Sequence, residues 1–222
     1  MSYFNGPKIV TNGLVLCLDA SNTKSYSGTG TVFTDLTLNK YNHTLVSASF
    51  TTVDGINCFN CSTTGRCYPS GSSYTFGTSY TMLTWARVIS STTTWRTLWR
   101  TTPDDHPVLV ETGTNRLGYY DNNGGNFVPY NLDVSTLGLA NKWTMYTVTN
   151  TGTGSTNLYI NGLAAKGTVA YTANGTTHNA WGNEAGGSQP FGYISTALLY
   201  NRGITESEIL QNFNATKGRF GL

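Results

Sequence analysis

Residues 191–222 read FGYISTALLYNRGITESEILQNFNATKGRFGL, and this stretch decides the fold class. Its first part, residues 192–200, is apolar and strand-like and stops at Asn201-Arg202-Gly203. A helix is predicted next. Thr205 is placed to be its N-cap, and Glu208, three residues on, can reach back to complete a capping box. Ile204 and Ile209 straddle the cap as a hydrophobic staple, and Ile209, Leu210 and Phe213 continue as an apolar stripe at helical spacing. No other segment reads as a convincing helix. One capped helix behind a strand, at the end of a chain otherwise built of short β-patterned runs, points to an all-β domain.

Upstream, residues 13–20 (GLVLCLDA) read as a buried strand, and residues 32–36 and 44–50 as short ones. Residues 57–68 carry three of the four cysteines and fit no clear pattern. Residues 80–89 (YTMLTWARVI) are rich in aromatic and β-branched residues and predict a strand. Residues 94–101 alternate Trp95, Thr97 and Trp99 against Arg96, Leu98 and Arg100. Residues 108–112 and 116–120 predict a hairpin across Gly113-Thr114-Asn115. In residues 142–150 (KWTMYTVTN) two registers compete, Trp143 and Met145 against Tyr146 and Val148. Asn161-Gly162 is a strong hairpin signal, with residues 167–171 as its return strand. Residues 172–189 are polar and Gly-rich and are expected to be an exposed loop. The sum is one domain over residues 1–222, two packed antiparallel sheets of about a dozen strands, with residues 1–8 as a short arm.

Charged residues make up only 11% of the 222, and the net charge is +2. Lys and Arg are scattered, so no electrostatic footprint for nucleic acid is expected. No apolar run is long enough to span a bilayer, so no membrane insertion is expected. The start MSYFNGPKIV carries no legible signal peptide, which predicts synthesis in a cytoplasm.

Four segments together resemble a known family. They are GPKIVTNGLVLCLDASNTKSYSGTGTVFTDL at the start, YTMLTWARV around Trp85, KWTMYTVTNTGTGSTNLYINGLAAKGTV, and GYISTALLYNRGITESEILQNFNATKGRFGL at the end. They resemble concanavalin A-like, laminin-G-like jelly-roll domains. The likeness implies an all-β, two-sheet antiparallel jelly-roll sandwich with one short C-terminal helix. The N-terminal segment and the ending NATKGRFGL most resemble proteins of bacterial viruses. That likeness implies a non-enzymatic virion structural protein, a capsid decoration or a head or tail fibre module. It would be made in the host cytoplasm and would mediate attachment, in many copies, to itself, to a capsid protein or to another virion protein. A lectin-like adhesin for host or environmental glycans is the alternative. The clustered cysteines have no counterpart in the family pattern, and Cys17 stands where an aromatic or aliphatic residue is commoner.

A related fold supports glycoside hydrolysis, which needs two facing carboxylates. The four glutamates are Glu111, Glu184, Glu206 and Glu208, and the last two are explained by capping and the helix dipole. A hydrolase is therefore disfavoured and no catalytic residue is assigned. Sugar binding would use aromatic faces flanked by hydrogen-bonding side chains. The candidates are Trp181 with Asn179 and Asn183 in the polar loop, and Tyr119, Tyr120 and Asp121 beside a turn. Trp95 and Trp99 share a predicted strand face that could line a binding sheet. No cofactor is assigned. Cys58, Cys61 and Cys67, with Cys17 as a fourth ligand, leave free thiols, a disulfide and a zinc site open. The family resemblance implies calcium as a further candidate, at Asp121-Asn122-Asn123-Gly124. His43, His106 and His178 show no ligand spacing and are expected at the surface or in loops.

Overall fold

A computed structural model describes residues 7–91, 93–102, 105–171, 177–184 and 186–222. The chain forms two antiparallel sheets packed face to face, with one helix laid over the outside of one of them. Strands are numbered in chain order. The back sheet runs β14 (Ala165–Val169), β13 (Thr156–Ile160), β12 (Trp143–Thr151), β7 (Ser79–Val88), β16 (Gly192–Tyr200), β5 (Ile56–Cys61) and β4 (Ser49–Val53). β1 (Leu14–Asp19) also pairs with β16. The front sheet runs β11 (Asn126–Asp133), β10 (Arg116–Asp121), β9 (His106–Val110), β8 (Arg96–Thr102), β15 (Thr177–Trp181), β6 (Arg66–Pro69), β3 (His43–Val46) and β2 (Val32–Phe33). This is the expected jelly-roll sandwich.

The central back strands are buried on both faces, which explains their mixed registers. Tyr80, Met82, Tyr146, Val148, Ile194 and Leu199 face the front sheet and join the main core. Leu83, Trp85, Trp143, Met145, Leu198 and Tyr200 face the other way and form a second apolar layer. Helix α1 (Glu206–Thr216) and the 3₁₀ turn Lys217–Phe220 close that layer with Ile209, Phe213 and Phe220. Phe220 lies flat on Trp85, with centroids 4.0 Å apart and planes at 6°, and the Trp85 indole N–H donates to Thr216 Oγ1 at 2.8 Å. Leu210 is 39% exposed and leaves the expected stripe. Asn212 takes the buried place instead, accepting from the Val10 amide at 2.8 Å and donating to the Tyr200 hydroxyl at 3.0 Å.

The helix start is as the sequence predicts. The Thr205 amide donates to Glu208 Oε2 at 2.9 Å and the Glu208 amide donates to Thr205 Oγ1 at 3.3 Å, while Arg202 holds the same carboxylate through two nitrogens. The Asn161-Gly162 turn is a four-residue connection rather than a two-residue one, since Ile160 pairs with Ala165. Gly162 has φ 72°, and a Cβ there would sit 3.2 Å from the Phe213 ring, so the turn also makes room for the helix. The expected arm, residues 1–8, lies mostly outside the described residues. Its end packs on the chain's own helix, where Gln211 donates to the Lys8 carbonyl at 2.7 Å. Among the described residues no helix is long and apolar enough to cross a membrane.

The sheet pattern fills two gaps in the sequence reading and corrects one expectation. Residues 57–68 supply two strands, one in each sheet. Residues 126–133 form β11, which the sequence pattern did not reveal. Residues 177–181 of the supposed polar loop form β15 in the middle of the front sheet, because Ala180 and Trp181 are the apolar members of an otherwise polar strand. Residues 172–176 and 185 of that segment lie outside the described residues.

Candidate functional site

The front sheet's outer face carries the pocket of interest. β8 and β9 pair Thr97 with Leu109 and then Trp99 with Val108, a β-bulge that breaks the expected alternation. Its effect is to turn Leu98 and Trp99 both into the core and leave Thr97 beside Leu109. β10 sets Tyr120 opposite His106, and β11 sets Phe127 opposite Tyr120. Trp95, just before β8, meets Tyr120 and Phe127 edge to face at 5.7 and 5.6 Å. Gly118 lets this happen, since a Cβ there would collide with the Phe127 ring. Trp95, His106, Leu109, Tyr120, Asn122 and Gln189 enclose a pocket of about 130 Å³. Trp95, Tyr120 and Phe127 are half-buried, so each keeps some ring surface for a ligand.

The polar side chains of the pocket are aligned by one chain of hydrogen bonds. The Thr97 hydroxyl donates to Gln189 Oε1 at 2.6 Å, so it must accept from His106 Nδ1 at 2.9 Å. That fixes His106 as the Nδ1–H tautomer and leaves Nε2 to accept from Asn122 Nδ2 at 3.4 Å. The order Asn122 to His106 to Thr97 to Gln189 has a single direction. It uses one donor of the Asn122 amide and the oxygen of Gln189.

Behind the pocket sits a carboxylate. Asp105 is buried and accepts from the Tyr119 hydroxyl at 2.7 Å, the Asn122 amide at 3.2 Å and the Tyr171 hydroxyl at 3.4 Å. Burial pushes its carboxyl above the ordinary range, while these donors pull it back and the charge of Asp121 adds to the rise.

The structure redistributes the sequence candidates. Trp181 is fully buried, sandwiched among Trp99, His43 and Phe33, and no glycan can reach it. Tyr119 is fully buried with its hydroxyl on Asp105. Asn183 is fully buried and pins a loop, donating to the Thr63 carbonyl at 2.8 Å and accepting from the Gln189 amide at 2.7 Å. Asn179 is half-buried on β15, away from the pocket lining. Tyr120 lines the pocket, and Asp121 lies next to it in sequence. Of the two tryptophans expected on one face, Trp95 lines it and Trp99 is core. The pocket also takes His106, Asn122 and Gln189, which only the strand pairing could bring together.

All three histidines are buried in strands rather than exposed. Burial lowers His43 to about 4 and drives His178 well down. The four cysteines cannot share one metal ion, because Cys17 and Cys58 belong to the layer under the helix and Cys61 and Cys67 to the core between the sheets. All four are free thiols, and burial pushes Cys17 and Cys58 up to about 12. Among the described residues no group of three or more His, Cys, Asp or Glu is placed to hold a metal. In the suspected calcium turn, Asp121 Oδ1 accepts from the Asn123 amide at 3.0 Å, as an ordinary turn requires.

A larger cleft of about 650 Å³ lies between residues 137–144 and the chain's last residues. Its aromatic walls are already used. Trp143 donates to the Val53 carbonyl at 3.2 Å, and Phe220 is stacked on Trp85.

Fold and pocket together define a two-sheet jelly-roll of the lectin type with an aromatic, amide-lined site on its front sheet. Residues 62–210 match the family model of the concanavalin A-like lectin/glucanases superfamily, and the chain belongs to that family. No curated protein sequence matches it. Among solved structures, it is similar to a Trypanosoma rangeli sialidase in complex with 2,3-difluorosialic acid, at 14% identity and a TM-score of 0.66. That match covers 95% of this chain but 34% of the sialidase, so this chain spans about a third of that enzyme's length. It is also similar to the binding domain of Paraclostridial Mosquitocidal Protein 1, at 16% identity and a TM-score of 0.60, covering 91% of this chain and 52% of that one. These findings correct the expected virion role. The fold is shared with a sialidase and with the binding domain of a mosquitocidal protein, neither of them a capsid or fibre protein. The adhesin alternative gains no better support from the same matches.

Proposed function

We propose that this domain is a non-catalytic recognition module that holds one ring of a carbohydrate in the front-sheet pocket. The observation that carries this reading is the juxtaposition of half-buried Trp95, Tyr120 and Phe127 with the aligned Asn122–His106–Thr97–Gln189 chain. Aromatic rings stack on the C–H faces of a sugar, while fixed amides and an imidazole satisfy its hydroxyls in both senses. A pocket of about 130 Å³ is small beside the roughly 300–1,000 Å³ of drug-sized sites, which suits a single ring. Among the described residues no carboxylate lines it, whereas glycoside hydrolysis by the usual route needs two facing ones. A binding domain with this fold is consistent with the same reading.

The test is an array of oligosaccharides, followed by titration of a hit against the intact chain and against Trp95→Ala. The expected result is specific binding that weakens at least tenfold in the variant. Unchanged affinity in Trp95→Ala would move the site elsewhere.

A further inference from the structure

The four cysteines are not equivalent, and the fold brings two of them together. Cys58 and Cys61 stand three residues apart on β5, so their side chains leave opposite faces of the strand. Cys58 enters the layer under the helix, where its thiol donates to the Thr51 carbonyl at 3.6 Å, while Cys61 enters the core between the sheets. The Cys58-Phe-Asn-Cys61 spacing is therefore not a bonding pair. Cys61 shares its core with Cys67, which lies on β6 of the other sheet.

Neighbouring residues locate both sulfurs at one point. Cys67 lies opposite Trp181 in the pairing of β6 with β15, and a Cβ on the next residue, Gly182, would fall 2.8 Å from the Cys61 sulfur. A glycine there leaves the space that the Cys61 side chain fills. The Cys67 thiol is hydrogen-bonded to Cys61 and to the Trp181 side chain. The connector between the two strands is held in place. Asn183 Nδ2 donates to the Thr63 carbonyl at 2.8 Å and to the Gly65 carbonyl at 3.4 Å. Gly65 packs so tightly on β5 that a Cβ would lie 2.5 Å from the Asn60 carbonyl oxygen.

From this convergence we propose that Cys61 and Cys67 are the site of a cross-sheet disulfide, formed by exchange with a low-molecular-weight disulfide such as oxidised glutathione. One cysteine thiolate attacks the small disulfide, forms a mixed disulfide and releases one small thiol. The other cysteine attacks the protein sulfur of that mixed disulfide and releases the second small thiol. The two protein thiols lose two electrons and two protons, and the small disulfide takes them up. Both sulfurs are fully buried, and burial holds the Cys67 thiol well above its ordinary range, so the closed fold protects the pair from attack. The bond closes while the chain folds or when this end of the sandwich opens, and native packing then shields it from reduction.

The experiment uses the intact chain, reduced and denatured, then refolded in glutathione buffers of graded redox ratio, quenched with acid and alkylated in denaturant. In the oxidising buffers the expected product has a mass lower by two hydrogen atoms and a peptide map that joins Cys61 to Cys67, with Cys17 and Cys58 alkylated. Its thermal midpoint should lie roughly 4 °C or more above that of the reduced form. Cys67→Ser should abolish both changes, and Cys58→Ser should keep them. Four alkylated cysteines after native refolding in the most oxidising buffer overturn the proposal, and so does a bond to Cys17 or Cys58. A Cys61–Cys67 bond that lowers the midpoint or prevents the native circular dichroism also overturns it, because the fold would then exclude the cross-link. The peptide map of the unsubstituted chain decides the pairing even if a serine variant fails to fold.

Discussion

Trp85 and Trp95 lie ten residues apart and on opposite outer faces of the same sandwich, with different fates. Trp85 leaves the back sheet and is covered by residues more than a hundred positions later, Phe220 flat on its ring and Thr216 on its N–H. Trp95, just before the front sheet's β8, meets Tyr120 and Phe127 edge to face and stays half-buried. An aromatic residue on an outer sheet face thus becomes core or site according to whether a distant piece of chain returns to cover it. The back sheet spent its aromatic surface on stability, and the front sheet kept some for a ligand.

The largest expected effect breaks the covered side. Trp85→Ala removes a stacked pair with Phe220, a second ring contact with Phe213 and the indole N–H bond to Thr216, and it leaves a hole under the helix. Truncations of this kind cost about 3–5 kcal/mol. Urea denaturation should show a loss of that size with an early release of the helix. A loss under about 1 kcal/mol would mean that the helix layer does not depend on this stack.

The next effect sharpens the comparison through pH. Inside the front sheet, the His43 and His178 rings meet at 5.1 Å, His178 lies edge to face against Trp99 and Trp181, and His43 is tilted against Trp181. Their neighbours are the Tyr41 carbonyl, which holds His43 Nδ1, and Asp35, whose charge opposes the lowering of His43. His43 titrates near 4 in the fold and His178 is also lowered, whereas unfolded imidazoles take up protons near about 6.5. The stability of the neutral pair is complete above that value and is lost as pH falls from about 6.5 towards 4. On the back side, Arg202 holds Glu208 down to about 2, so the helix cap keeps its charge until pH falls from about 4.3 towards 2. Hydrogen exchange of β15 should therefore accelerate on acidification before that of α1. The reverse order would refute the assignment of these two histidines as the acid-sensitive part.

These contrasts also show what could be read in advance. The helix, its cap and the two-sheet fold were legible because their causes are local: Thr205 and Glu208 are three residues apart, and β7 and β12 carry their pattern in nine or ten consecutive residues. Trp181 was misread because its neighbours in sequence are polar, while its environment is set by Phe33, Trp99 and His43 from three other strands. Trp95 and Tyr120 could be named singly. The pocket could not, since Gln189 and His106 meet only through Thr97, and the bulge that turns Thr97 from the core while seating Trp99 in it has no signature in sequence.

The smallest expected effect on stability belongs to Trp95→Ala, and it discriminates best between the two faces. If the uncovered aromatics are held for a ligand, removing one should cost the fold little. Trp95 loses two edge contacts, each worth about 0.5–1.5 kcal/mol beyond burial when fully enclosed, and here its ring is half-exposed. The denaturation midpoint should shift by no more than about 1 kcal/mol equivalent, several times less than for Trp85→Ala. A loss rivalling that of Trp85 would show Trp95 to be a structural residue of the front sheet, and the comparison would collapse into two versions of the same core. A small loss together with abolished sugar binding would separate them cleanly, one tryptophan for the fold and one for the ligand.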